Sequence, residues 1–244
     1  MSGPAAKTAP KTAMVLAAGI GSRMRPLTDE RPKPLVEVGG KALIDHTLDR
    51  LAEAGVETAV VNVHHFADQM EAHLAARAFP RVLMSDERAG LLDSAGGIAR
   101  ALPLLGDGPV WVANIDNVWI ERGTPALASL AAAWDPALMD VCILLAARAD
   151  TYGYERPEGF LRDADGRLTH SNNPDPLPPY NNIGFQIINP AILSGQTGAF
   201  SIVPIWKRLS QAGRLFGAVT AAEIIHVSDP AGRDYAQARL AAAG

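Results

Sequence analysis

Short apolar segments alternate with amphipathic helical patterns through the first 150 residues, and this alternation limits the possible folds more than any other feature of the sequence. Strands that are linked by crossing helices pair in parallel, and the helices cover both faces of the sheet. The pattern predicts strands at residues 13–18, 57–63, 81–86, 110–116 and 140–148. Helices are predicted between them at residues 42–55, 66–78, 94–105 and 124–134. We therefore expect an α/β unit with a doubly wound, mostly parallel sheet.

The pattern changes after residue 150, where short strands and one short helix replace the regular alternation. Asp165 and Gly166 favour a hairpin turn, and Asp229 is placed to cap a terminal helix. Strands are also predicted near residues 182–190, 214–219 and 223–227, and a helix near residues 204–213. We expect this α+β half, residues 151–244, to join the sheet of a Rossmann-like half, residues 12–150. The two halves of this single domain would form the walls of a cleft.

The composition is that of an ordinary globular protein. The 22 lysines and arginines against 26 aspartates and glutamates give a formal charge of −4, whereas nucleic-acid-binding domains are usually basic. No run of about eighteen apolar residues occurs, so no membrane span is expected. The single cysteine, Cys142, is expected to be a buried thiol. We expect residues 1–11 to be a disordered lead-in without the apolar core of a signal peptide, and the protein to be cytoplasmic.

The loop after the first predicted strand combines glycines with basic residues, in the segment GIGSRMRPLTDERPKP, residues 19–34. Ligands of open parallel sheets bind beyond the carboxyl ends of the strands. Gly19 and Gly21 allow backbone N–H groups to approach an anion closely. Arg23 and Arg25 can hold phosphate oxygens in a forked geometry, and Lys33 adds a compact charge. The loop is therefore the predicted polyphosphate site, with Arg23 and Lys33 folded over the same phosphates.

The spacing excludes two other phosphate-binding loops. The dinucleotide fingerprint G-x-G-x-x-G opens directly into a helix, whereas Met24 takes the place of its third glycine and Pro26 soon follows. The Walker loop requires G-K-[ST], which does not follow here. A solvated surface turn would explain one isolated G-x-G, but not G-x-G-x-R, R-P and P-K-P in succession.

The segment LAAGIGSRMRPLTDERPKPLVEVGGKALIDHTLDRL, residues 16–51, resembles the opening signature of the sugar-1-phosphate nucleotidyltransferases. The resemblance extends over residues 13–242 and is strongest to a short bacterial subgroup. It implies a GT-A-like nucleotide-diphospho-sugar transferase fold, with a sugar-binding half at residues 151–244. The implied reaction joins a nucleoside triphosphate to a sugar 1-phosphate and releases pyrophosphate. UTP with N-acetylmuramate 1-phosphate, in peptidoglycan recycling, is the first expectation, and a guanylyltransferase of mannose- or heptose-type 1-phosphates is the alternative.

The same resemblance implies the roles of individual residues and a Mg²⁺ cofactor. Its catalytic residues are Arg23 and Lys33, and its metal ligands are Asp116 and His226. The implied nucleotide-binding residues are Ala17, Ala18, Gly19, Gly21, Ser22, Arg23, Ser94, Gly96 and Asn114. The implied sugar-binding residues are Asn173, Asn182 and Gly184. No nucleic acid or membrane partner is implied, and we expect a monomer or homodimer.

Three departures from the family pattern keep other interpretations open. Ile115 stands where the family has glycine beside Asp116, and His226 stands where it has a second metal aspartate. His226 is compatible with metal binding, with a phosphate contact or with simple packing. The neutral segment SNNP, residues 171–174, replaces the charged E-K-P. These departures favour a third hypothesis of another class, a nucleotide-sugar-binding homologue that has lost catalysis.

Several candidate residues also have a purely structural interpretation. Ser94 and Gly96 either hold a nucleotide base against the backbone or begin a helix that packs on a strand, with Ser94 as its cap. Asp116 lies at a strand end, where an aspartate can also cap a turn or helix. Asp229 is better explained as a helix cap than as a metal ligand. The pair His64 and His65 is better explained as loop histidines than as ligands.

Overall fold

The computed structural model describes residues 9–155 and 157–243, which form a large central sheet flanked by helices. Its strands are β1 Thr12–Leu16, β2 Glu37–Val38, β3 Lys41–Ala42, β4 Thr58–Val63, β5 Arg81–Asp86, β6 Val110–Asn114, β7 Asn117–Ile120, β8 Val141–Ala147, β9 Thr151–Tyr152, β10 Gly159–Arg162, β11 Leu168–Ser171, β12 Tyr180–Ile188, β13 Leu215–Thr220 and β14 Glu223–His226. Its helices are α1 Leu43–Glu53, α2 Ala67–Leu74, α3 Asp93–Leu105, α4 Ala126–Ala133, α5 Val203–Gln211 and α6 Pro230–Ala243. Among the described residues, no helix is both long and apolar enough to cross a membrane.

The parallel part of the sheet has the strand order β5-β4-β1-β6. The chain builds outward from β1 through β4 and β5, and then returns to the other side of β1 with β6. Ligands of such sheets bind where this order reverses, beyond the carboxyl ends of β1 and β6. The predicted doubly wound sheet is confirmed, and each strand predicted in the first half is present with small differences at its ends.

Both faces of the parallel strands are apolar because helices cover both faces. Met14 packs into a layer with residues of α3 and α5, and the adjacent Val15 packs into the opposite layer with residues of α1, α2 and α4. Successive side chains of a strand point to opposite faces. A strand buried on both sides is therefore a continuous apolar run in the sequence, which explains why the segment AMVLAA, residues 13–18, predicts β1.

The second half of the chain extends the same sheet with mostly antiparallel strands. β12 pairs with β6 on one side and with β8 on the other, and β13 joins β8 in parallel. The hairpin β10–β11 pairs with the other end of β12, and it confirms the turn predicted at Asp165 and Gly166. Cys142 of β8 is buried, as predicted. The two halves of the chain therefore share one sheet.

A second sheet, which the sequence analysis does not predict, lies beside the ligand edge of the first. β7 follows β6 after Ile115 and Asp116 and pairs with β14, which also pairs with β9. The segment VWVANIDNVWI, residues 110–120, does not reveal this change of sheet, because apolar periodicity does not show where a strand changes its partner. β14 runs antiparallel to β7 and places His226 opposite Asn117.

The predicted capping role of Ser94 is wrong, since α3 has no side-chain cap. The Ser94 hydroxyl instead accepts the backbone N–H of Ile202 at 3.0 Å. The N–H groups of Ala95 and Gly96 donate to the Phe200 carbonyl. The first turn of α3 is therefore satisfied by the segment before α5, a contact between distant parts of the chain that no local pattern reveals.

The chain is ordered before its first strand. Residues 1–8 of the predicted disordered lead-in lie outside the described residues, but Pro10 and Lys11 are held in place. The Pro10 carbonyl accepts the indole N–H of Trp111 at 2.9 Å, and the Lys11 carbonyl accepts the N–H of Glu57 at 2.8 Å. The prediction is wrong at these two residues because a buried indole N–H needs an acceptor.

The predicted cap of the last helix is confirmed. Oδ1 of Asp229 accepts the N–H of Gly232 at 2.8 Å, directly before α6 begins at Pro230. This backbone hydrogen bond lowers the pKa of Asp229, which keeps the cap ionised beside the positive end of the helix.

The contact between α3 and the segment before α5 predicts a strong effect of Gly96→Ala. A Cβ atom at position 96 would collide with the Gly198 carbonyl oxygen, a backbone atom that cannot rotate away. The free energy of unfolding should fall by about 1–3 kcal/mol, the usual cost of overpacking. The matched control is Gly108→Ala, where nothing lies within 4 Å of the added atom. Urea unfolding compares the two variants, and equal stabilities would contradict the contact.

Candidate active site

Two adjoining cavities lie at the carboxyl ends of β1 and β6. The smaller cavity, of about 210 Å³, is lined mainly by the loop after β1. The larger cavity, of about 610 Å³, is lined by residues from the ends of β6 and β14, from β12 and from the segment after β9. Arg23, Asp116 and Ser228 line both cavities. These three residues form the border at which ligands in the two cavities would meet.

The loop after β1 folds back on itself around Gly21. Gly21 has a left-handed backbone with φ of 69°, which favours glycine, and a Cβ atom there would lie 2.7 Å from Cβ of Lys33. The Thr28 hydroxyl donates to the Gly21 carbonyl at 3.0 Å and holds the turn. Although they are well separated in sequence, Arg23 and Lys33 therefore line the same smaller cavity.

Lys33 crosses to the end of β6 and forms an ion pair with Asp116. Its ammonium lies 2.9 Å from Oδ2 of Asp116, and the two side chains are 10% and 22% exposed. Burial opposes the charge of Asp116, but the Lys33 ammonium and the His226 ring outweigh burial and hold the pKa of this carboxyl well below its usual range. The border of the cavities therefore carries a fixed carboxylate and a fixed cation.

Strand pairing brings His226 to the same carboxylate. The N–H of Val227 donates to the Asp116 carbonyl at 2.8 Å, and the ring Nε2 of His226 lies 3.4 Å from Asp116 Oδ2. The other ring nitrogen, Nδ1, lies 3.2 Å from the Gly153 carbonyl. Because a carbonyl only accepts hydrogen bonds, Nδ1 carries the hydrogen. Nε2 then faces the carboxylate either as the second N–H of an imidazolium or as a lone pair that needs a cation between them.

Tyr154 orients the amide beside Asp116. Its hydroxyl donates to Oδ1 of Asn117 at 2.6 Å, which turns Nδ2 of Asn117 towards Oδ1 of Asp116 at 3.5 Å. Burial, and then the charge of Asp116, raises the pKa of Tyr154 well above its usual value, so the hydroxyl remains a donor. The sequence analysis missed Tyr154 because it lies in the irregular segment between β9 and β10, where no period or motif marks it.

β12 closes the larger cavity against β6 through Gly184. Its φ is 79°, and a Cβ atom there would lie 2.9 Å from Cβ of Asn114. The pairing of β12 with β8 is irregular at this point, between Asn182 and Gln186. Oδ1 of Asn182 accepts the N–H of Gly184 at 2.8 Å. The structure therefore brings Asn114, Asn182 and Gly184 together on the wall of the larger cavity.

Aromatic side chains form part of the wall of the larger cavity, and the sequence analysis missed two of them, Phe160 and His170. Phe160 lies edge-on to Trp206 and to His170, with ring centroids 5.7 Å and 5.4 Å apart. Burial, and then the charge of Lys207, lowers the pKa of His170 and favours its neutral ring. Alternation along β10 and β11 indicates which of these residues share a face, but not that the face meets a cavity.

Four residues predicted to bind nucleotide or sugar line neither cavity, namely Ala18, Ser94, Gly96 and Asn173, and the same is true of Arg25. Asn173 lies in an exposed turn, where its side chain accepts the N–H of Asp175. Ser94 and Gly96 pack against the segment before α5. The structural interpretation of this part of the sequence was a helix start packed on a strand. Ser94 and Gly96 do lie at a helix start, but they contact the segment before α5 and not a strand.

Most of the residues predicted in the first loop, in contrast, do line a cavity. The smaller cavity is lined by Ala17, Gly19, Gly21, Ser22 and Arg23. The N–H groups of Ala17 and Ala18, however, both donate to Oδ1 of Asn62, at 2.6 and 3.2 Å. A ligand in this cavity would therefore meet the carbonyl or side-chain atoms of Ala17, and not its N–H group.

This arrangement suits the binding of phosphate groups. A polyphosphate in the smaller cavity would lie along a glycine loop, between the guanidinium of Arg23 and the ammonium of Lys33. Forked guanidinium contacts and a second fixed charge are the usual way in which proteins hold phosphate oxygens. The adjoining larger cavity would place a second ligand against the same phosphates.

The sequence is similar to those of several known proteins. The family described as nucleotidyl transferase matches residues 12–167. The N-acetylmuramate alpha-1-phosphate uridylyltransferase of Caulobacter vibrioides is 52% identical over 240 residues, which cover 96% of this chain and 99% of that protein. The mannose-1-phosphate guanylyltransferase catalytic subunit beta of Dictyostelium discoideum is 37% identical over 110 residues, which cover 43% of this chain and 30% of that protein.

Solved structures share the fold. The crystal structure of an apo UDP-glucose pyrophosphorylase has a TM-score of 0.77 at 15% identity, with 96% of this chain and 99% of that chain covered. At this level of identity the likeness concerns the fold alone. It confirms the predicted GT-A-like nucleotide-diphospho-sugar transferase architecture.

The Lys33–Asp116 pair predicts a pH-dependent loss of stability in Lys33→Met. Near neutral pH the variant leaves the Asp116 carboxylate without its ammonium. The free energy of unfolding should then fall, by less than the ~3–5 kcal/mol of a fully buried pair, because Asp116 is 22% exposed. The pKa of Asp116 is lowered in the folded state, so this stabilisation is present above the unfolded pKa of about 3.9 and is lost as the pH falls below it. The difference between wild type and variant should therefore shrink in acid.

The matched control for this experiment is Lys41→Met. Lys41 pairs with Asp49 at 2.7 Å, but these side chains are 47% and 38% exposed, and such surface pairs contribute at most about 1 kcal/mol. Urea unfolding near neutral pH and at about pH 3 compares the variants. A Lys33→Met effect that equals the Lys41→Met effect, or that does not change with pH, would contradict the buried pair.

Proposed function

The chain belongs to the nucleotidyl transferase family, and we propose on this premise that it joins UTP to N-acetylmuramate 1-phosphate, forming the UDP-sugar and pyrophosphate. One observation carries the proposal: Arg23, Lys33 and Asp116 meet where a small cavity adjoins a larger one. The Caulobacter vibrioides relative, which matches nearly the whole chain, bears the name of this activity.

The proposed reaction is an in-line displacement at the α-phosphorus of the triphosphate. An oxygen of the sugar 1-phosphate forms the new P–O bond, and the bond to the departing pyrophosphate breaks. The attacking oxygen is already an anion, so no side chain has to remove a proton. Catalysis then consists of positioning the two substrates and neutralising their charge.

Arg23 and Lys33 supply that neutralisation. Arg23 lies at the border of both cavities, where its guanidinium can hold oxygens of the α-phosphate and of the departing pyrophosphate. Lys33, whose ammonium contacts Asp116 at the same border, is placed to orient the phosphate of the sugar. The backbone of the glycine loop lies along the rest of the triphosphate.

The residues at the border also fit one Mg²⁺ ion. Within residues 9–155 and 157–243, no three His, Cys, Asp or Glu side chains are grouped closely enough to form a metal cage. Mg²⁺ does not need one, since it is commonly held by one or two carboxylates together with water and substrate phosphates. Asp116 would hold it, with His226 Nε2 as the second ligand. A bound Mg²⁺ would supply charge neutralisation at the phosphate oxygens.

The larger cavity would hold the sugar. Phe160 and Trp206 provide apolar walls, and Asn182 with the backbone at Gly184 provides hydrogen-bonding groups. Such a mixture suits an acetylated sugar, which has both apolar groups and hydroxyls. The nucleotide contacts of Ser94 and Gly96, the sugar contact of Asn173, the monomeric or homodimeric state and the cytoplasmic location remain predictions from the sequence.

A pyrophosphate-release assay with Mg²⁺ tests the proposed substrates. UTP with N-acetylmuramate 1-phosphate should give the highest kcat/KM, above the other triphosphates by about tenfold or more. If GTP with mannose 1-phosphate reacts faster, these two compounds are the substrates and the proposed pair is wrong. Nucleotide binding without pyrophosphate release would identify a homologue that has lost catalysis.

Arg23→Ala and Asp116→Asn should each lower kcat by about 10²–10³-fold, the usual effect of removing an electrostatic contact to the transition state. Arg25→Ala is the control from the same loop. Arg25 pairs with Asp29 at 3.4 Å on the surface and lines neither cavity, so its removal should leave kcat unchanged. Steady-state kinetics of the folded variants measures these effects. A kcat equal to that of the wild type in Arg23→Ala or Asp116→Asn would reject the role assigned to that residue.

A further inference from the structure

Glu87 is a buried carboxylate that the proposed reaction does not use. It follows β5, is 2% exposed and lines neither cavity. A carboxylate is costly to bury unless it is well hydrogen-bonded. We propose that Glu87 and its partner Asn62 are positioning residues, which fix the start of the phosphate-binding loop for the nucleotide. The inference rests on the proposed function, although it does not depend on the identity of the sugar.

A continuous chain of hydrogen bonds connects the loop to Glu87. Oδ1 of Asn62 accepts the N–H groups of Ala17 and Ala18 at 2.6 and 3.2 Å. Nδ2 of Asn62 donates to Oε1 of Glu87 at 2.7 Å. Oε2 of Glu87 accepts the N–H of Leu92 at 3.3 Å. The ends of β1, β4 and β5 and the start of α3 are thereby tied together at the ligand edge of the sheet.

Glu87 determines which way the Asn62 amide points. In the reversed orientation, the NH₂ group of Asn62 would face two N–H donors, and its oxygen would face a carboxylate. A carboxylate is also the side chain that can accept from both Asn62 and Leu92, because it has two acceptor oxygens and no donor. A glutamine at position 87 would direct an NH₂ group at one of these donors.

The surroundings hold the pair in this geometry. Asn62 is 3% exposed. A Cβ atom on Gly97 would lie 2.8 Å from Oε1 of Glu87 and 2.9 Å from Nδ2 of Asn62, so only glycine leaves room for the pair. Nδ1 of His64 donates to the Glu87 carbonyl at 2.8 Å, which fixes the backbone of Glu87 as well.

The backbone that Asn62 holds forms part of the wall of the smaller cavity. Leu16 and Ala17 line this cavity together with Lys33. One acceptor holds two consecutive N–H groups, so neither peptide plane can rotate without breaking its hydrogen bond to Asn62. The Asn62–Glu87 pair thus sets the distance between this wall and the cations that hold the triphosphate.

Exchanging the amide and the carboxylate between positions 62 and 87 tests this role. In Asn62→Asp two buried carboxylates face each other with no donor between them. In the double variant Asn62→Asp with Glu87→Gln, the introduced carboxylate would accept from Ala17, Ala18 and the new amide, and the glutamine oxygen would accept from Leu92. The double variant restores every donor–acceptor match and the original net charge of the pair.

Calorimetry of UTP binding in the presence of Mg²⁺ is the main readout. Asn62→Asp should raise the Kd of UTP about tenfold, and Glu87→Gln about threefold, because each leaves buried groups mismatched. The double variant should return the Kd to within about threefold of wild type. The KM of the sugar phosphate, measured with saturating UTP, should stay unchanged in all three. A partial loss of folded protein would instead lower the stoichiometry of UTP binding and leave the Kd of UTP unchanged.

The matched control is Asn189→Asp, which also places a carboxylate beside an existing one. Nδ2 of Asn189 lies 3.5 Å from Oδ1 of Asp140, but Asn189 follows the end of β12 that pairs with the amino end of β6. This control should change the unfolding temperature and not the Kd of UTP.

An unchanged Kd of UTP in folded Asn62→Asp would overturn the inference, and so would a double variant that binds UTP no better than the single one. If Asn62→Asp does not fold, an unchanged Kd in Glu87→Gln would overturn it. These outcomes are separate from those of the proposed function. A wild type that binds UTP but releases no pyrophosphate would reject the proposed reaction. The Kd values of the variants would still decide the role of the pair.

Discussion

The ion pair between Lys33 and Asp116 joins the two segments on which the site depends. Asp116 lies where β6 gives way to β7, and Lys33 lies near the end of the loop that begins after β1. Since β1 and β6 are neighbours at the point where the strand order reverses, one contact closes the loop over the ligand edge of the sheet. Gly21 makes the closure possible, because a side chain there would occupy the space of Lys33.

The pattern of apolar and polar residues predicts the fold correctly where it matches the burial of each residue in the folded protein. β1, β4 and β6 are buried on both faces and are therefore continuous apolar runs, and α1 shows the period of a helix with one buried face. The glycines and cations of the first loop were equally visible, because their chemistry is contained in one short segment. Asp229 also belongs here, since a helix cap needs only the residues that follow it.

The features that the sequence analysis missed or misassigned depend on contacts between distant residues. Tyr154 reaches Asn117, and Ser94 reaches Ile202, only because the folded sheet brings their segments together. Only two residues lie between the end of β6 and the start of β7, and the sequence pattern does not mark the change of sheet between them. Asn62 looks like any polar residue within a buried strand until its two N–H donors are known. Such residues have no local signature, since their partners are set by topology and not by spacing.

The delivery of His226 by strand register has an evolutionary consequence. Its backbone is held by the pairing of β14 with β7 and by the hydrogen bond from Val227 to Asp116, so its position does not depend on the identity of its side chain. A single replacement at position 226 would exchange a neutral or cationic group for an anionic one without moving the backbone beside Asp116. In a scaffold of this kind, one amino-acid substitution can change the charge of the reaction centre while the surrounding backbone stays the same.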